Sequence, residues 1–353
     1  MAGKDNLIHH VQAKEIIKPW LMLGPFYEDM SDRVVGLTFF ERAGATVGRA
    51  AMAEVMEEAT CFLACAPREG EQGTFRGQTG RWTLVRRPEK YLSWGTYNIQ
   101  NTLGAALLAT VVKPDKPGLR QWRLVTRISS RAVVAINGAI VYDTDAHPVK
   151  AVNGVYEHCF EAELPAGESN LIVALFRLGR MAQVGFRLEV SDSDLDAHIS
   201  LPESMSLPAR VQVEEQVSSI RLARDIFYPE HEVGLKLGVA PVRGTTLLVS
   251  LLSDEGKLMR EVVVTAAGPL SLCRGSELAD GLYKIVCTWV DENGKPFTAT
   301  EHEIHKVTPA PTLLGYDRLE ERRRLVLEHY AANAERRPIW TEVARYALGR
   351  YNE

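Results

Sequence analysis

The chain has 353 residues, 46% of them apolar, and a formal charge of -4, from 41 Lys and Arg against 45 Asp and Glu. This length fits two or three domains with packed cores, and the slight acidity argues against the clustered positive charge by which proteins bind nucleic acid. The cysteines, Cys61, Cys65, Cys159, Cys273 and Cys287, form an odd and scattered set that suits buried reduced thiols better than a disulfide framework.

In chain order, the first 17 residues read as a tail. MAGKDNLIHHVQAKE lacks the basic-then-apolar pattern of a signal peptide, and the longest apolar runs, such as Leu103 to Val112, fall far short of a membrane span. The expectation is a soluble chain with no membrane partner, cytoplasmic, or secreted if a signal peptide has been removed. From residue 18 to about 190 the sequence is strand-like, with apolar runs such as VVGLTFF, QWRLVTRI, YEHCFEAEL and NLIVALFRL separated by Gly, Pro and Asp turns. Short strands joined by turns predict a sandwich or barrel, not βαβ units.

The sharpest local signal is RAVVAINGAIVYD, Arg131 to Asp143. Asn137-Gly138 tolerates positive φ at both central positions of a type I′ turn, whose twist matches the flanking strands. One interruption, Gly48 to Ala64, carries Ala51, Val55, Met56, Ala59 and Leu63 near a three-to-four spacing. It reads as a helix, or as a strand start beyond about Thr60.

Residues 191–210, SDSDLDAHISLPESMSLPAR, are polar and turn-rich and read as a linker. A second β region spans 211–306. Its opening segment, RVQVEEQVSSIRLAR, fits an edge strand or a helix, and the runs that follow have the spacing of an immunoglobulin-like sandwich. Turn signals stand at Asp254-Glu255-Gly256-Lys257 and Asp291-Glu292-Asn293-Gly294-Lys295. Between them, Tyr283, Ile285, Cys287 and Trp289 alternate with a mixed set, predicting one packed face and one partly wet face. Residues 307–315 read as a Pro-bounded linker, and 316–353 as two short amphipathic helices, the second opened by Pro338. Such helices dock on the β domains, pair in a homo-oligomer, or begin a larger domain.

WLMLGPF at Trp20 to Phe26, AVVAING at Ala132 to Gly138 and FEAELPAGESNLIVALFRLG at Phe160 to Gly179 together resemble galactose-binding-like jelly-roll domains. Such domains occur as accessory modules of glycoside hydrolases, polysaccharide lyases and some peptidases. The resemblance implies a mainly β protein: a jelly-roll β-sandwich over 18–190, a second, Ig-like β-sandwich over 211–306 and short C-terminal α-helices. With that order of modules the chain resembles the non-catalytic front end of a multidomain carbohydrate-active enzyme, whose partners are a carbohydrate ligand or an adjacent catalytic domain.

Sugars present apolar faces and a polar rim, so their binders combine aromatic rings with Asn, Asp, Arg and Gln. The segment Arg81 to Asn101 concentrates such residues: Trp82, Tyr91, Trp94, Tyr97, Asn98 and Asn101 are the candidate binding strip. The alternative for these aromatics is core and edge packing in adjacent strands. The acids of FYEDMSD (Glu28, Asp29, Asp32) and of YDTDAH (Asp143, Asp145) offer carboxylates for a structural calcium, but their spacing matches no known loop and solvated turn acids account for them. No cofactor is otherwise implied.

No catalytic constellation stands out. There is no Gly-x-Ser-x-Gly elbow, and neither Cys61 nor Cys65 sits in a nucleophile signature. His302 and His305 point to opposite faces if they share a strand, which makes a poor zinc pair. Glu161 and Glu163 share one strand face, as outward solvated acids would.

Overall fold

The computed structural model describes residues 7–30, 46–86, 92–94, 97–127, 131–181 and 184–308. The protein is mainly β, as expected. It divides into two compact units: one holds the chain up to Ser218 together with Val242–Thr246 and Trp289–Ala299, the other Ser219–Pro241, Leu247–Thr288 and the described residues from Thr300 onward.

In chain order the first unit comprises β1 (Ile8–Val11), β2 (Leu21–Asp29), helix α1 (Thr46–Leu63), β3 (Gln72–Phe75), β4 (Gln78–Arg81), β5 (Thr83–Leu84), β6 (Leu92–Trp94), β7 (Tyr97–Pro114), β8 (Gly118–Arg127), β9 (Arg131–Ile136), β10 (Ala139–Asp143), β11 (Val155–Leu164), β12 (Ser169–Met181), β13 (Val184–Val190), β14 (Leu195–His198) and helix α2 (Leu207–Ser219). An eight-stranded sheet has the order β1-β14-β7-β12-β9-β10, with β2 pairing to β7 and β5. A four-stranded sheet runs β11-β8-β13-β6. All these pairs are antiparallel.

The two faces of the large sheet bury different cores. Leu171, Val173 and Leu175 of β12 point into a cluster with Trp122, Leu124, Phe160 and Phe186 from the smaller sheet. Ile172, Ala174 and Phe176, the alternate residues of the same strand, join Val55, Ala59 and Leu63 of α1 and Phe75 of β3. A strand covered on both sides needs apolar residues at every position, which is why β7 and β12 read as continuous apolar runs. By contrast β11 alternates buried and exposed, leaving Glu161 and Glu163 outward. The helix over 46–63 matches the three-to-four spacing in the sequence.

Asn137 and Gly138 take φ of 50° and 85°, the left-handed values that the Asn-Gly signal predicts. The turn is tied to its neighbour strand: the Asn170 backbone N–H donates to Asn137 Oδ1 at 2.8 Å, and Asn137 Nδ2 donates to Ser169 Oγ at 3.2 Å. The segment that reads as a linker over 191–210 is partly sheet, because Leu195–His198 pairs with both β1 and β7. Its residues alternate there, Leu195 and Ala197 buried and Asp196 and His198 half-buried. The following segment, open between strand and helix in the sequence, is helix α2.

The second part of the chain adds β15 (Arg221–Leu222), β16 (Ile226–Phe227), β17 (Glu232–Leu237), β18 (Thr245–Ser253), β19 (Leu258–Val264), β20 (Gly268–Arg274), β21 (Gly281–Asp291) and β22 (Pro296–Lys306). These form a three-stranded sheet, β15-β17-β20, and a five-stranded one, β16-β22-β21-β18-β19, in which only the β16–β22 pair is parallel. Tyr283, Ile285, Cys287 and Trp289 are all buried on one face of β21. No helix among the described residues is long and apolar enough to cross a membrane. The two helices expected over 316–353 lie outside the described residues.

Candidate functional site

The aromatic strip of the sequence does not form one described surface. Trp82 is only 2% exposed and packs in the second core, among the same buried residues as Leu23 and Phe75. It offers no face on which a sugar ring could stack, which corrects the expectation for that residue. Tyr91 lies outside the described residues. Trp94 ends β6 and pairs with Val184 in the four-stranded sheet, whereas Tyr97 begins β7 and pairs with Met181 in the eight-stranded one. Asn98 and Asn101 follow along β7. The strip therefore divides between the two sheets.

One acid of each cluster is bonded to arginine. Glu28 accepts from Arg76 at 2.9 and 3.1 Å, and Asp143 from Arg131 at 2.6 and 3.1 Å. Asp143 also caps the backbone N–H of Asp145. Asp32 lies outside the described residues.

What the structure assembles instead is a polar cleft of about 420 Å³ within the first unit. Three chain segments make its walls: Ala66 to Glu71, Pro202 to Ser204, and Asp291 to Phe297, the turn between β21 and β22. Asp291 shapes the last of these. Its Oδ1 accepts the backbone N–H groups of Asn293 and Lys295 at 2.9 and 2.8 Å, and its Oδ2 accepts the Ser204 hydroxyl at 2.6 Å, tying one wall to the next. At Gly70, with φ of 84°, a Cβ would stand 2.6 Å from the Phe297 Cα. Glycine is required there because two backbones touch.

A buried chain of alternating charges lies beneath. Arg210 of α2, fully buried, makes a bidentate pair with Glu69, Nε to Oε2 at 2.6 Å and Nη2 to Oε1 at 2.7 Å. Its Nη1 lies 2.6 Å from Glu214 Oε1, one helical turn on. Arg86 completes the row, donating to Glu214 at 2.9 and 3.3 Å, to Thr298 Oγ1 at 2.7 Å and to the Ala299 carbonyl at 3.0 Å. The Arg210 guanidinium also stands 5.9 Å from the centre of the Phe297 ring. Each wall is thus held by a charge-assisted bond or a close contact, the strongest class of hydrogen bond available to side chains.

Burial pushes the Glu214 carboxyl up, but Arg210 and Arg86 outweigh it and hold the group below its ordinary value. For Arg210, burial alone would lower the pKa, and the carboxylates of Glu69 and Glu214 outweigh it in the opposite direction. Asp291 behaves like Glu214: burial raises it, yet the Ser204 hydroxyl and the two backbone N–H groups bring it below the usual aspartate value. Glycoside hydrolysis needs one carboxylic acid kept protonated as a general acid. Here Glu214 and Asp291 are bonded acceptors held below their ordinary values, and Glu69 is paired with Arg210, an arrangement suited to fixing walls. The groups left toward the opening are the exposed Arg68, Glu71, Glu203, Asn293 and Lys295.

Sequence reasoning marked the Asp291 to Lys295 turn but not the cleft. Its other walls carry no motif, and Glu69 and Arg210 are separated by 141 residues.

No protein-family model matches the chain, and no curated protein matches it. Among solved structures it is similar to an FMN-binding β-glucuronidase from Facaelibacterium prausnitzii L2-6, at 11% identity and a TM-score of 0.23, over 57% of this chain and 32% of that one. A Ruminococcus gnavus β-glucuronidase matches at 14% identity and a TM-score of 0.21, over 57% and 34%. A β-glucuronidase from Ruminococcus gnavus in complex with D-glucuronic acid matches at 12% identity and a TM-score of 0.22, over 85% and 46%. The chain spans between a third and a half of the length of these proteins.

Proposed function

We infer that this chain is a non-catalytic β module of a larger carbohydrate-active enzyme, a galactose-binding-like jelly roll followed by an Ig-like sandwich, which binds carbohydrate or positions a neighbouring domain. The observation that carries the reading is the state of the cleft: its inward carboxylates are bonded to arginine, serine and backbone N–H groups, so it is built to hold shape and not to transfer protons. A polar concavity on a rigid β scaffold is what a binding module needs. The resemblance of Trp20 to Phe26, Ala132 to Gly138 and Phe160 to Gly179 to accessory modules supports the same reading.

The test uses the whole chain. Titration calorimetry against a panel of oligosaccharides, with parallel turnover assays on nitrophenyl glycosides, is expected to give binding to at least one glycan and no hydrolysis. Turnover of any glycoside would sink the reading, and silence across the whole panel would remove its carbohydrate-binding form.

A further inference from the structure

We propose that the cleft, and not the aromatic strip, is the ligand site, and that it takes a neutral, hydroxyl-rich ligand, a pyranose unit, held by its polar rim through Arg68, Glu71, Asn293 and Lys295. This rests on the module reading above and adds the place and the chemical class.

At about 420 Å³ the cleft falls within the range of roughly 300–1,000 Å³ common to small-molecule sites. Its walls are already joined, by Asp291 to Ser204, by Arg86 to Thr298 and Ala299, and by the backbone contact of Gly70 with Phe297. A ligand entering it spends little of its binding energy on ordering the walls.

The lining carries Arg68 and Lys295 against Glu69, Glu71, Glu203 and Asp291, and Arg210 beneath neutralises Glu69. A carboxylated or phosphorylated ligand would meet more negative groups than positive ones. A polyol uses both signs, because each hydroxyl donates and accepts. Arg68 is held at one end by its bond to the Leu201 carbonyl at 3.2 Å, while its contact with the exposed Glu203, at 3.8 Å, is loose enough to yield.

Among the described residues the lining has no stacking platform. Phe297 is the one aromatic residue among the described lining and is 2% exposed. Recognition there runs through hydrogen bonds to the rim of the sugar, not through stacking on its face.

The experiment follows methyl glycosides of glucose, galactose and mannose, with glucuronate as the charged control, by saturation-transfer NMR and calorimetry on the whole chain. Asn293→Ala and Lys295→Met change exposed side chains and keep the backbone N–H groups that Asp291 accepts, so each should melt like the parent. We expect a neutral glycoside to bind more tightly than glucuronate, each cleft variant to weaken it about tenfold or more, and Trp94→Ala to leave it unchanged. Binding that survives both cleft variants but is lost in Trp94→Ala overturns the placement and leaves the module reading standing. Tighter binding of glucuronate overturns the chemical class. If no glycoside binds, alone or within longer glycans, this proposal falls together with the carbohydrate-binding form of the module reading, and only domain positioning is left of it.

Discussion

Two interiors of the first unit hold it together by opposite means. Between its sheets, Leu171, Val173, Leu175, Trp122 and Phe186 bury apolar surface without orientation requirements. Beneath the cleft, Arg86, Glu214, Arg210 and Glu69 bury formal charge, which is tolerable only because each group meets an opposite one at hydrogen-bond distance. The apolar core tolerates a lost methyl group in proportion to the cavity left behind. The inner links of the charged row are all-or-none, since Glu69, Arg210 and Glu214 are buried and removing one strands the next away from water, whereas Arg86 at the end is partly exposed. The difference teaches where the architecture is forgiving and where it is committed to one geometry.

The largest expected effect breaks the charged row. Arg210→Met leaves Glu69 and Glu214 buried without their shared partner and should cost about 3–5 kcal/mol in urea denaturation. A loss below about 1 kcal/mol would mean that water replaces the guanidinium and that the row is not closed. Leu175→Ala is the matching change in the apolar core, expected at about 3 kcal/mol from lost transfer energy plus cavity, with the melting curve still cooperative. Asp291→Ala should come next, at about 1–3 kcal/mol, because the Ser204 hydroxyl and two backbone N–H groups lose their acceptor. It should also loosen the turn, seen as faster amide exchange at Asn293 and Lys295.

Acid offers a comparison without mutation. Glu214 and Asp291 both titrate lower in the folded chain than in the unfolded one, from ordinary values of 4.5 and 3.8. Their contribution is therefore fully present above those values and is lost as pH falls through the depressed folded ones. Stability measured from pH 6 downward should hold until about pH 4–5 and then fall, and Asp291→Ala should flatten part of that slope. The smallest effect belongs to the surface pair Lys284–Glu301, whose atoms lie 3.5 Å apart with both side chains well exposed. Lys284→Ala should change stability by no more than about 0.5 kcal/mol and less in high salt.

Much of the fold was readable along the chain because its signals are local. Asn137-Gly138 demands two left-handed residues, and both are left-handed. The period of two in Val155 to Leu164 becomes a strand with one wet face, and the spacing of Val55, Ala59 and Leu63 becomes the packed side of α1. Harder to read was Leu103 to Val112, which composition marks only as too short for a membrane. It lies in β7, with β12 on one side and β2 and β14 in succession on the other, and it lacks polar alternation because both its faces are covered. Trp82 stayed open between sugar platform and core packing for a related reason. An aromatic beside polar residues suggests a sugar platform, but only the fold shows that this one faces inward.

The cleft was less legible than the fold. Its one readable piece is the Asp291 to Lys295 turn, where an Asx cap and a glycine act within five residues. By itself, then, the sequence determined the class of the protein, its turns, and which face of each alternating strand goes inside, because these follow from backbone sterics and side-chain period over a few residues. The tertiary structure alone decided which runs are covered twice, where the polar concavity opens, and that Glu69 meets Arg210 across 141 residues of chain. The physical reason is that burial and charge pairing depend on what lies opposite in space, and in this protein the partners come from distant segments.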